Sequence, residues 1–305
     1  MSRIESTYKA RDVEETIDIY FYRPIGYWIA RACQTLGVAP NAVTIASIFV
    51  GVCGGHLLYY RNFTTNVWGI VLWVLASMLD SVDGQLARMT RHTSKVGRIL
   101  DGFADYVIFL TIYLHLFARM VVTYRVGWVS LLLLTAVGLA SHSIQSALAD
   151  YYRNAYVKFA VDPIQSELDG ADDVRAEYRA TSFFQHPVKT LLLRTYLNYT
   201  IHQEQLSSSF QTLRRRVAEE FGNDIPSWLT DEYRRMNKPL LKYFALFGTN
   251  TRMIVMSVAV LMNAVPLYFA TEIVALNLVL VLVMMRQRTV NARLLTEIER
   301  RSALA

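Results

Sequence analysis

Cysteine is scarce: Cys33 and Cys53 are the only two in 305 residues. Both lie in or beside apolar runs, so they read as small packing residues and not as a disulfide framework. No segment repeats at a fixed period, and no low-complexity tract or nucleic-acid-reading motif is present, so nucleic acid is not an expected partner. The first twenty residues carry Arg3, Glu5, Lys9, Arg11, Asp12, Glu14 and Glu15, a pattern unlike a cleavable signal peptide. Acids are also nearly absent from the long apolar runs. The few that do fall there therefore need an explanation.

What is present is apolar. Hydrophobic residues make up 53% of the chain and the mean hydropathy is +0.24, which fits a polytopic membrane protein better than a water-soluble domain. The net charge of +6 then reads as a positive-inside bias and an attraction to anionic lipid.

The expected fold is all-α, with about six transmembrane helices. Residues 1–42 form an N-terminal region in which Ile25, Trp28, Ile29, Ala32, Cys33 and Leu36 make one helical stripe, predicting an amphipathic helix in the interface. Gly37 and Pro40-Asn41 end that helix, with Asn41 a candidate cap for the next. Four spans are predicted within 43–149, at 43–60, 67–88, 96–122 and 127–148. Residues 150–242 are mixed in charge and interrupted by Pro163, Pro187, Pro226 and Pro239, which predicts a cytoplasmic insert of helices on the membrane surface. Two further spans fall within 243–286, at 252–269 and 272–285, and 287–305 form a basic tail. Lys and Arg crowd the N-terminus, the 88–98 turn, the insert and the tail, whereas the opposite loops hold only Arg61 and Arg125. Both termini are accordingly expected on the cytoplasmic side.

The conspicuous acids are Asp80, Asp83, Asp101 and Asp105. Spacings of three and four place each pair on one face of a helix. Carboxylates at membrane depth are costly unless paired or bound to cations. Four of them on two neighbouring helices, joined by a basic turn, suggest a cage for hard divalent cations. His92 in that turn has no His or Cys partner at metal spacing and reads as a turn residue.

In full the stretch reads Asp80-x2-Asp83-Gly84-x2-Ala87-Arg88-x8-Gly97-x3-Asp101-x3-Asp105. It resembles the signature of the CDP-alcohol phosphatidyltransferase family at every fixed position. The resemblance extends to the six-span layout, the interfacial helix and the Pro40-Asn41…Thr44 start of the first span, but not to the long insert. It implies attack of an alcohol hydroxyl on the β-phosphorus of a CDP-linked lipid, with release of CMP. It further implies two Mg2+ or Mn2+ ions held by Asp80, Asp83, Asp101 and Asp105, with Asp105 as base toward the acceptor hydroxyl. Asp80, Asp83, Gly84, Ala87, Arg88 and Gly97 would contact the CDP group, and a homodimer is implied.

The acceptor is a small alcohol or a phosphorylated one. Arg153, Lys158 and Arg252 are candidate phosphate ligands, which tilts the expectation toward an inositol-phosphate-like acceptor over glycerol phosphate or an amino alcohol. Their alternative reading is as snorkelling interfacial cations. Two other classes compete with the enzyme. A metal-ion transporter predicts acids along a path through several spans, and a membrane scaffold has no use for four acids in intact register.

Overall fold

The structure is a computed structural model that describes residues 10–163, 166–222 and 224–303. Arg3, Glu5 and Lys9 of the charged N-terminus lie outside the described residues. The described residues are helical, without strands. Among the described residues, six helical segments are long and apolar enough to cross a membrane: Pro40–Leu57, Phe63–Met89, Lys95–Thr123, Trp128–Val161, Ser227–Leu261 and Val265–Ser302. Only between 28% and 44% of each apolar window is buried inside the chain. The remainder faces outward, the disposition expected where lipid is the solvent.

The chain enters through a π-type turn, Asp18–Tyr22, that continues into α1 (Arg23–Thr35). Tyr22, Gly26, Tyr27 and Ala30 are buried, while Tyr20 and Phe21 of the entry turn and Ile25, Trp28 and Leu36 of the apolar stripe remain exposed. Gly26 permits a close approach to the next but one helix, since a Cβ there would meet Gln85 Nε2 at 2.6 Å. Gly37 ends α1 in the left-handed region, φ +69°, where glycine carries no Cβ penalty. α2 (Pro40–Leu57) follows with Pro40 in its first turn, a position where the missing N–H costs nothing. Ala39, not Asn41, is the N-cap, and no side chain caps that end.

α2 packs against α3 (Phe63–Met89) and α4 (Lys95–Thr123). The α2–α3 contact is backbone against backbone: a Cβ on Gly54 would lie 2.9 Å from Gly69 O. Such close approach by small residues replaces the hydrophobic drive that lipid does not supply. Asn62 caps α3 by accepting from Thr65 N at 3.0 Å. Ser94 caps α4 by accepting from Gly97 N at 3.0 Å.

α5 (Trp128–Tyr156) runs without a break past Asp150 and, through a π-type turn at Val157–Val161, well beyond the span. The insert then forms α6 (Ala171–Ala180), α7 (Pro187–Leu206), α8 (Ser208–Phe221) and α9 (Ser227–Phe244). Pro187 sits in the first turn of α7 and Pro226 caps α9, but Pro239 lies inside α9 without ending it. α9 leads through a 3-10 turn into α10 (Thr249–Leu261). The last reversal is at 262–264, where Asn263 takes φ +55°, earlier than the 269–272 junction expected from hydropathy alone. α11 (Val265–Ala270), a π-type turn at Thr271–Leu276 and α12 (Asn277–Ser302) then form one continuous rod.

Two principal cores result. One lies in the bundle and includes Trp73, Phe109, Ile112, Tyr113, Leu116, Met256 and Phe269. The other is built by the overrun of α5 together with α8, α9 and the far half of α12, and includes Tyr152, Phe159, Phe210, Tyr233, Phe244, Leu294 and Ile298. The insert thus packs as a bundle in its own right on the end of the spans.

Candidate active site

The last three turns of α3 and the first three of α4 converge where a short turn joins them. Carboxylate oxygens of Asp80, Asp83 and Asp101 all lie within 4.8 Å of one another. Asp83 is 5% exposed and accepts a 2.6 Å hydrogen bond from Thr44 Oγ1 of α2 at its Oδ2. Oδ1 of Asp101 is buried with no protein partner. At this separation, and an effective dielectric of about 20, each pair of like charges repels by about 3.5 kcal/mol. An orphaned acceptor beside two further carboxylates is what a hard divalent cation with oxygen ligands satisfies, so the residues present fit such an ion. Asp105, one turn further along α4, is exposed and is not part of this three-acid group.

The small residues have visible purposes. A Cβ on Gly84 would lie 3.2 Å from the guanidinium of Arg88, so the glycine lets Arg88 fold back along its own helix, within electrostatic reach of Asp101. A Cβ on Gly97 would meet Asn41 Oδ1 at 3.3 Å. Asn41 therefore faces the start of α4 instead of capping α2.

The insert supplies another wall. Leu192 and Leu193 of α7 are buried with Ile99 of α4, with Val96, Leu100 and Phe103 packed around them. Lys95 pairs with Glu177 at 3.0 Å, and Arg98 pairs with Asp169 at 3.2 Å. Tyr199 Oη donates to Asp150 Oδ2 at 3.3 Å. Burial lifts the Tyr199 phenol well above its ordinary range, with Asp150 and then Asp105 among the charges adding to the lift. Tyr199 is therefore a neutral donor within the field of Asp105.

The three cations expected to bind an acceptor phosphate are not brought together. Arg153 donates to Glu15 Oε1 at 2.7 Å. Lys158 borders a cavity of about 220 Å³ with Val161, Pro163, Asp224, Ile225 and Thr230. Arg252 is no mouth residue: it is 1% exposed, faces Glu272 at 3.3 Å, and donates to Gln145 Oε1 at 2.8 Å and to Phe247 O. Glu272 also accepts from Tyr268 Oη at 3.1 Å. Sequence reasoning missed this pair because its members are twenty positions apart on two different helices. It read Asn41 only as a cap, placed Thr44 only within the start of the first span, and assigned no task to Tyr199, whose only sequence signal is a polar side chain within a largely apolar run.

The family model for CDP-alcohol phosphatidyltransferases matches residues 37–200, more than half of the chain and all of the acidic motif. The chain belongs to the CDP-alcohol phosphatidyltransferase family. Among its relatives is the CDP-diacylglycerol–serine O-phosphatidyltransferase of Helicobacter pylori, 31% identical over 119 residues, which are 37% of this chain and 48% of that protein. The archaetidylinositol phosphate synthase of Pyrococcus horikoshii is 35% identical over 77 residues, 25% of this chain and 39% of that protein. A bifunctional IPC transferase and DIPP synthase of Thermococcus kodakarensis is 28% identical over 141 residues, 45% and 30% of the two chains. Each match thus takes in less than half of the relative's own length. Phospholipid-type transferase chemistry in a membrane fits this family, and the named relatives differ in their acceptors.

Proposed function

We propose that this protein transfers a phosphatidyl-type group from a CDP-linked lipid to the hydroxyl of a small alcohol, releasing CMP. The observation that carries the reading is the three-carboxylate group with its orphaned Asp101 oxygen, lying inside the matched motif. Asp80, Asp83 and Asp101 would hold Mg2+ or Mn2+, with Asp105 able to join them if two ions bind. A divalent cation held there would supply neutralising charge to the pyrophosphate and to the departing CMP.

The chain's own residues do the rest. Thr44 fixes the rotamer of Asp83. Arg88, freed to lie along α3 by Gly84, offers a charged fork to phosphate oxygens. Ala87 and Gly97 leave room for the nucleotide. Asp105 takes the proton of the acceptor hydroxyl. The hydroxyl oxygen then bonds to the β-phosphorus as the bond from that phosphorus to the CMP oxygen breaks, and the electron pair leaves with CMP. The basic turn, insert and tail favour a cytoplasmic site, and a homodimer is part of the same reading.

For the acceptor, the inositol-phosphate preference rested on Arg153, Lys158 and Arg252. Their dispersal removes that support, while the relatives named above span serine and inositol phosphate products. A free or amino alcohol therefore stands level with a phosphorylated one. CMP release by purified protein, with a CDP-diacylglycerol donor, with and without Mg2+ or Mn2+, across phosphorylated and free alcohols, tests the reading. Metal-dependent release with one acceptor supports it. Silence with CDP-diacylglycerol and with CDP-choline-type donors alike would return the transporter and scaffold readings.

A further inference from the structure

One surface of the insert has no task in the chemistry above. The turn between α6 and α7 presents Phe183 and Phe184, 58% and 95% exposed, with their rings 6.0 Å apart. The adjoining α7 adds Val188 and Leu191, three residues apart and hence on one face, 68% and 59% exposed. Arg179 and Arg194 are exposed on the same two helices. Elsewhere the insert behaves as a water-facing structure does, burying its large apolar residues in the second core. Four large apolar side chains left open at one edge call for a covering phase.

The placement of α7 indicates which phase. Its inner face, Leu192 and Leu193, is seated against Val96, Ile99, Leu100 and Phe103, all within the apolar span Lys95–Thr123. α7 is therefore packed on the first turns of a candidate membrane span, with Val188 and Leu191 left exposed beside that contact. The spans themselves leave residues such as Tyr106, Leu114 and Val122 of α4 exposed on their outer surface. We propose that Phe183, Phe184, Val188 and Leu191 are seated in the headgroup and upper acyl region of the bilayer that holds the spans, with Arg179 and Arg194 reaching anionic headgroups. Aromatic and aliphatic groups flanked by arginine match that region in both polarity and charge. The edge would tie the insert down over the acidic cluster, holding Tyr199 and Asp150 at membrane level.

Site-directed spin labelling of the whole chain tests this without reference to activity. In a Cys33→Ser, Cys53→Ser background, nitroxides are placed at Phe184→Cys, Val188→Cys and Leu191→Cys, with Asp172→Cys on α6 as the aqueous reference. Asp172 has a side chain 94% exposed. The labelled proteins, each selected for a single size-exclusion peak, are placed in nanodiscs of phosphatidylcholine and phosphatidylglycerol. Relaxation by oxygen and by a neutral nickel chelate is then compared. The expected result is oxygen-favoured relaxation at 184, 188 and 191, with nickel access several-fold below that at 172. Nickel access equal to that at 172 would put the edge in water and overturn the proposal. Exclusion of both reagents would also overturn it, because a protein surface, from a second copy or another chain, would then be the cover.

Discussion

The bundle around α2, α3 and α4 and the bundle built on the overrun of α5 are held together by different means. In the first, helices meet through glycine and backbone, as at Gly54 and Gly69, around a small aromatic centre at Trp73 and Phe109, and only 33–39% of each apolar window is buried. In the second, rings fill the interior: Tyr152 stacks on Phe244 with centroids 5.2 Å apart, Phe159 stacks on Tyr233 at 5.2 Å, and Phe210 meets Phe159 edge-on. The difference follows the solvent. Where lipid surrounds the helices, burying an aliphatic chain gains little, so close contact and buried polar bonds decide the packing. Where water surrounds them, burial of apolar area drives assembly. α12 passes through both regimes: Val281, Leu282 and Met285 are exposed on its apolar half, while Val290, Leu294 and Ile298 are buried on its charged half.

Removing the chemistry should leave this architecture standing. Asp83→Asn and Asp101→Asn are each expected to reduce CMP release to background, with the purified protein keeping its elution volume and melting profile. Near-normal release in either would end the cation-site assignment. The next largest effect is expected in the water-facing core. Phe210→Ala should cost about 3–5 kcal/mol by loss of a buried ring, read as a lowered unfolding midpoint, and limited proteolysis should open the insert before the spans. Gly54→Ala should cost about 1–3 kcal/mol, because the added methyl meets backbone that cannot move aside. Equal tolerance of alanine at both positions would erase the distinction between the two regimes.

Smaller still is the effect of one of the ion pairs between the insert and the spans. Lys95→Ala removes a partly exposed pair with Glu177 and a longer one with Asp169, each worth about 0–1 kcal/mol at a surface. Its expected trace is faster hydrogen exchange in α6 with an unchanged unfolding midpoint. The least effect is a pH dependence in the N-terminal segment. Burial, with Glu15 and Glu14 nearby, raises the Asp18 carboxyl above its ordinary 3.8, against the hydrogen bond from Asn250. The ionised form is thus the disfavoured one in the folded chain. The stabilisation from protonated Asp18 is complete below its unfolded value and is lost as pH rises through the raised folded value. Asp18→Asn should flatten that slope in thermal unfolding across mildly acidic pH.

Much of this was legible in the sequence because it depends on local pattern. The acidic motif, the glycine ending α1, the exposed stripe of Ile25, Trp28 and Leu36, and six apolar runs can each be read from spacing within a single helix. What spacing does not carry is the partner across space. Arg153 and Arg252 looked like free cations because Glu15 and Glu272 are distant in the chain or on another helix. The core of the insert could not be read from its own sequence because it is completed by α5 and α12, two elements that read as spans. Pro239 looked like a break, yet α9 carries on through it. Asn41 has a side chain suited to capping, but it stands one residue past Pro40, inside the helix that Ala39 caps, with its Oδ1 beside Gly97. In each case a tertiary contact overrode a local rule.

The fully buried Arg252–Glu272 pair bears on how the polypeptide is made. A lone arginine or acid at the centre of a helix costs roughly 2.5–3.5 kcal/mol on insertion scales. Here the two charges lie on successive helices joined by only three residues, 262–264. Each neutralises the cost of the other only when both are present. The final two crossings should therefore leave the translocon as one hairpin, and a nascent chain stopped after Leu261 should leave Arg252 without its partner and exposed to quality-control proteolysis.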